Sequence, residues 1–250
     1  MSAADLILAD SYNAPSKDAV PQLARRGVAW SLGSSLCRQL IGLAATAVLA
    51  RTLSATDYGL LGMVATLTAL AVAIGDFGLS WATVQRRELT SQQVDWLFVI
   101  NVVVGLLLSI LCATAGPFLV SFYHRPELAG IALVVGSSFF FSGCAVQPVA
   151  LLRRQMRFKE LSSCDLTSFV FSSIVAVSAV LMGYGYWSLA IQPAVLQLTY
   201  ALLVLYRSGY VPKLPRSGAG VLSMLSFGGF VAGFGMLTYI SRNKIGRAHV

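Results

Sequence analysis

Arg38 stands alone as a charged residue in the apolar stretch from Gly27 to Ala50. It follows Gly27 by eleven residues. At about 1.5 Å per residue in a core about 30 Å thick, that puts it about 16 Å deep, near the midplane. A charge there costs roughly 2.5–3.5 kcal/mol on insertion scales and as a rule serves function. A guanidinium forks onto two phosphate oxygens, so the chemistry on offer is capture of an oxyanion such as a phosphate or diphosphate. A structural arginine bonded to backbone carbonyls or to helices elsewhere is the competing reading. Gly33, Ser34, Ser35 and Gly42 flank it and allow close helix approach.

Other polar residues share the apolar runs: Gln39, Asn101, Gln147, Gln192 and Gln197. Counted from the outer end of its run, Gln197 is also about 16 Å deep, level with Arg38. Amides at this depth either hydrogen-bond sugar hydroxyls or hold helices together. Arg38, Gln39 and Gln197 are the candidate substrate-binding residues of a cavity. Asp76 and Asp165 lie towards the ends of their runs and are candidates for ion coupling, or are carboxylates facing water. On this count no acid is level with Arg38, so it is expected to be unpaired in a watery cavity. Arg153, Arg154, Arg157 and Lys159 form a cluster that either attracts an anionic headgroup at a cytoplasmic entrance or simply sets topology. The four cysteines are far apart, and the two histidines, His124 and His249, have none beside them. No metal site, disulfide framework or cofactor is expected.

These residues must be positioned by membrane helices. The 250 residues are 56% hydrophobic and only 11% charged, where a soluble domain carries roughly 25% charge. Seven runs are long enough to span: 27–50, 58–80, 94–116, 128–151, 164–183, 186–206 and 219–240. Short joints such as Arg125-Pro126-Glu127 predict an all-α polytopic helical bundle. With the N-terminus inside, twelve of the 18 Lys and Arg fall in cytoplasmic segments and three in outer ones. That sorting explains the net charge of +8 without nucleic acid. Residues 1–26 read as a cytoplasmic lead.

Four joints share a pattern. Ala50 to Gly59 reads ARTLSATDYG, and Phe77 to Thr90 forms a second cytoplasmic joint. Leu151 to Lys159 reads LLRRQMRFK, and Gly183 to Trp187 reads GYGYW. Together they resemble the Wzx-type lipopolysaccharide and exopolysaccharide flippases of the multidrug/oligosaccharidyl-lipid/polysaccharide (MOP) exporter superfamily, over about residues 22–243. Ala55 departs from the family's usual Pro, which should loosen the first turn. The resemblance implies two six-helix lobes around a cavity that opens alternately to either side. The implied cargo is an undecaprenyl-diphosphate-linked oligosaccharide moved from the inner to the outer leaflet of the bacterial inner membrane. Membrane lipids, a polysaccharide polymerase and export machinery are the partners such a protein would meet.

The resulting division is 27–206 as the first lobe and 207–243 as a cytoplasmic loop and seventh helix opening the second. Lys244 to Val250 match the translation of a common sequencing adapter, so native sequence is expected to stop near Asn243. A cation-coupled drug antiporter of the same superfamily would need an acidic pocket, whereas the midplane charge here is basic. A membrane-embedded enzyme would need an acidic pair, a Ser/His pair or a metal cluster. A non-transporting assembly subunit would need neither the arginine nor the amides.

Overall fold

The computed structural model describes residues 20–75 and 91–213. Within them the chain forms six helices: α1 Val20–Thr52, α2 Ala55–Gly75, α3 Ser91–Tyr123, α4 Glu127–Arg154, α5 Phe158–Leu181 and α6 Trp187–Ser208. The all-α polytopic reading holds. Five of the six are long and apolar enough to cross a membrane, and α2 carries a single charged residue, Asp57, in 21. Asp76, the seventh span at 219–240 and the tail from Lys244 lie outside the described residues.

The helices outrun the apolar runs that predicted them. α1 starts seven residues before Gly27, and α5 starts six before Cys164. α3 runs on through Pro117 to Tyr123 instead of stopping at Gly116. Polar end turns are helical because backbone groups bond within the segment at little cost wherever they leave the bilayer core.

The turns explain the motifs. Ser54 and Asp57 form a reciprocal capping box: the Ser54 N–H and hydroxyl donate to the Asp57 carboxylate at 2.9 and 2.8 Å, and the Asp57 N–H donates to Ser54 Oγ at 3.3 Å. That box closes the first turn without the usual Pro. Gly183 takes φ +87° and Gly185 φ +52°, left-handed values that a side chain disfavours. Met156 sits at φ +57° in the α4–α5 turn, where the Arg157 N–H bonds Leu152 O and the Met156 N–H bonds Arg153 O, a Schellman closure.

Packing does not follow chain order. α3 and α4 run antiparallel in the tightest contact, α4 and α6 lie parallel, and α6 packs antiparallel on α5. α1 packs along α5 rather than along α2. Gly27 meets Phe158 and Gly42 meets Phe169, so both helices ascend together. α2 rests on α3 and α4, and its Leu61 joins Leu49, Leu53, Val180 and Leu189 below the first turn. Large apolar side chains such as Leu36 and Leu40 on α1, or Leu107 and Phe118 on α3, point outward, as a lipid-facing surface requires.

Candidate functional site: an intramembrane ion pair and a cavity

Arg38 is paired. Its Nη1 donates to both carboxylate oxygens of Asp165, at 2.5 and 2.6 Å. This corrects the expectation of an unpaired arginine with no acid at its level. The error came from measuring depth from the edge of each apolar run. α1 and α5 are parallel, and depth counts properly from their shared upper ends. Thr52 lies about 21 Å above Arg38, and Leu181 about 24 Å above Asp165, at 1.5 Å per residue. Helical side chains lean towards the N-terminus, which lets the long arginine reach down to the carboxylate.

One nitrogen carries the whole contact. Among the described residues Nη2 and Nε of Arg38 make no hydrogen bond. The guanidinium also lies over the Phe169 ring, 4.7 Å from its centroid. The two charged side chains remain 39% and 42% exposed. Tyr200 on α6 lies within electrostatic reach of Asp165, Arg38 and Arg153. The sequence reading missed this residue, although it follows Gln197 by three positions and so shares its helix face.

Gln197 lines a cavity of about 300 Å³ between α2, α4 and α6. The walls are mostly apolar: Leu61, Val64, Ala65, Val135, Phe139 and Pro193. Such a volume is at the lower end for small-molecule sites, which pair apolar walls with a few polar groups. Of the other polar lining residues, Thr68 and Ser138 donate to carbonyls of their own helices, Ala65 O and Val135 O. Gln197 keeps its donor and acceptor unused among the described residues. The cavity extends from about 9 Å below the upper end at Leu61 to about 22 Å at Ser142, so its floor is level with Arg38. Gln39, next to Arg38, is exposed and lines no part of this cavity.

The four basic residues of the α4–α5 turn divide. Arg157 forks Glu160 at 2.7 and 2.5 Å, bonds Gln155 Oε1 at 3.0 Å and donates to the Arg207 carbonyl at 2.8 Å, tying the turn to the end of α6. Arg154 is buried. Arg153 and Lys159 are exposed, and Lys159 Nζ lies 4.8 Å from the centre of the Trp30 ring. The same end holds a pair the sequence reading overlooked: the buried Tyr210 hydroxyl donates to the buried Asp95 at 2.6 Å. An acid between Val94 and Trp96 in an apolar segment was the available signal.

A family model described as polysaccharide biosynthesis protein matches residues 48–246, four-fifths of the chain. The chain belongs to that family. Its curated relatives include the teichuronic acid biosynthesis protein TuaB of Bacillus subtilis, 27% identical over 206 residues, which are 82% of this chain and 43% of TuaB. The lipopolysaccharide biosynthesis protein WzxC of Escherichia coli is 25% identical over 223 residues, 87% of this chain and 44% of WzxC. The succinoglycan biosynthesis transport protein ExoT of Rhizobium meliloti is 25% identical over 212 residues, 85% of this chain and 42% of ExoT. The chain thus spans under half the length of these relatives. No solved structure matches it. The Wzx-type resemblance of the four joints holds, and this family member is a multi-pass membrane protein.

Proposed function

We propose that this chain supplies the first lobe of a flippase that carries an undecaprenyl-diphosphate-linked oligosaccharide across the bacterial inner membrane, with its N-terminus in the cytoplasm. One observation carries the reading: a membrane-depth arginine bound through a single nitrogen, its remaining donors open, level with the floor of a cavity that presents an unused amide. The guanidinium edge suits a diphosphate. The cavity between α2, α4 and α6 suits a sugar, whose faces would rest on apolar walls and whose hydroxyls would meet Gln197. The name of ExoT, a succinoglycan biosynthesis transport protein, supports transport, and that of WzxC, a lipopolysaccharide biosynthesis protein, supports a role in polysaccharide synthesis. Their length supports a second lobe, which would complete the path together with polymerase and export partners.

Deleting the intact gene should leave lipid-linked oligosaccharide in the inner leaflet and strip the polymer from the cell surface. Surface polymer at the parental level, with no second copy present, would sink the proposal. In the intact protein, Gln197→Ala removes hydrogen bonds worth about 0.5–1.5 kcal/mol, so export at limiting substrate should fall roughly 2- to 12-fold. Gln197→Glu should do no better, because a carboxylate repels a phosphorylated lipid. Quantified surface polymer reads both variants.

Orientation has its own test. Reporter fusions after Arg157 and Lys213 should read cytoplasmic, and one after Arg125 external. An internal reading at Arg125 would reverse the assignment and put the ion pair nearer the outer face.

A further inference from the structure

We infer that the cavity between α2, α4 and α6 is a subsite for an uncharged sugar ring and rejects a uronate, the same ring with a carboxylate at C6. This rests on the reading of the cavity as a sugar site and narrows its substrate class. Among the described residues, none of the side chains on the cavity wall is ionisable. The polar ones are Thr68, Ser138, Ser142 and Gln197. The Thr68 and Ser138 hydroxyls donate to carbonyls of their own helices, at 2.9 and 2.6 Å, and offer a ligand only lone pairs. Ser142 and Gln197 make no hydrogen bond among the described residues. A serine brings one hydroxyl, and a glutamine brings two N–H donors and a carbonyl, so both keep donors and acceptors for a ligand.

Polarity is graded along the cavity. Counted from the upper end of each helix, Leu61 and Val135 lie about 9 and 12 Å down, Gln197 about 15 Å, Thr68 about 20 Å and Ser142 about 22 Å. The wall is apolar above and polar below. A hydrocarbon tail would suit the upper part but leave Ser142 and Gln197 without partners, at the cost of their desolvation. A sugar ring meets both parts. Its C–H face packs on apolar side chains such as Val135 and Phe139, and its hydroxyls bond Gln197 and Ser142.

A carboxylate finds nothing on this wall to balance it. An ionised group that leaves water for a mostly apolar surface costs far more than a hydroxyl unless a cation meets it. The cations lie elsewhere. Arg38 lines no part of the cavity and is held by Asp165. On the reading above, the diphosphate occupies it. Arg154 is twelve residues beyond Ser142 on α4, about 18 Å along the helix. Arg51 and Arg125 sit at or just beyond the upper ends of α1 and α3, above Leu61. Any acidic rings in the polymer are therefore not the ring held here.

The 250-residue chain in nanodiscs can be titrated, with saturation-transfer NMR as the readout, against glycosides that differ only at C6: methyl glucoside, methyl glucuronide and methyl glucuronamide, with the galacto series in parallel. The amide matches the carboxylate in shape and lacks its charge. In at least one series the glucoside-type ring and the amide should bind alike, and the uronate at least about tenfold more weakly at neutral pH, where it is ionised. Gln197→Ala should weaken the neutral ligands, which ties them to this cavity. Gln197→Arg should supply the missing cation and bring the uronate level with the amide or above it. A parental chain that holds uronate and amide equally well would overturn the inference and leave the cavity a sugar site. So would a ratio of the two that Gln197→Arg does not move, or neutral binding that Gln197→Ala leaves intact, which would put the ligand elsewhere. Should Gln197→Arg not accumulate, uronate against amide on the parental chain decides alone. If no glycoside binds the parental chain, the sugar reading of the cavity fails first and this inference with it.

Discussion

Replacing Arg38 by alanine in the intact protein is expected to abolish export. A hydrogen bond to a charged group contributes about 1.5–3 kcal/mol, so each one lost weakens the headgroup roughly 12- to 160-fold. Lysine keeps the charge but not the planar fork, and Arg38→Lys should retain partial export. The structure adds a control that the sequence did not suggest. Arg38→Ala also strands Asp165 without its cation, so loss of export by the single variant is open to a structural explanation. The double variant Arg38→Ala with Asp165→Asn removes that cost. It should accumulate like the parent and still fail to export. Recovery of export in the double variant would mean that Arg38 serves only to neutralise Asp165, and would end its role as the anion receptor.

That control became visible only in three dimensions. Arg38 was legible because a lone charge in 24 apolar residues has few explanations. Its partner was hidden by Lys159, Glu160, Ser162 and Ser163, whose polarity made the first turns of α5 look like loop and put Asp165 at a helix end. Parallel packing of α1 on α5, set by Gly27 against Phe158 and Gly42 against Phe169, involves residues more than 120 positions apart, and no local period encodes it. The division of the basic turn was hidden for another reason. Spacing put Arg153, Arg154, Arg157 and Lys159 in one loop, but the left-handed Met156 sends Arg157 inward to Glu160 and the end of α6. The depth of Gln197 could be read from the sequence because position along one helix depends only on helix rise. The apolar walls around it come from α2 and α4, and only the fold could bring them there.

The largest effect on stability is expected at Gly143. On α4 it faces Gly105 and the Asn101 carbonyl on α3: a Cβ at Gly143 would stand 2.5 Å from Asn101 O, and one at Gly105 would stand 2.6 Å from Phe139 O. Both obstacles are backbone, so neither can swing aside. Adding even one methyl must push α3 and α4 apart along the tightest interface of the bundle, where close approach between small residues replaces a hydrophobic drive that lipid cannot supply. Overpacking costs typically 1–3 kcal/mol where side chains can adjust, and here they cannot. Gly143→Ala should therefore lower the thermal midpoint in detergent by several degrees, and Gly143→Leu should prevent accumulation. The matched control is Gly62→Ala on α2, where a Cβ meets no neighbouring atom within 4 Å. Freed from steric cost, that change should show the helix preference for alanine over glycine, about 0.5–1 kcal/mol in favour of the variant. If Gly143→Ala were as well tolerated as Gly62→Ala, the contact of α3 with α4 would have to be looser than a glycine-to-backbone seam. The cavity lined by Val135, Ser138, Phe139 and Ser142 would then lose its rigid wall, since those residues stand on the same helix as Gly143.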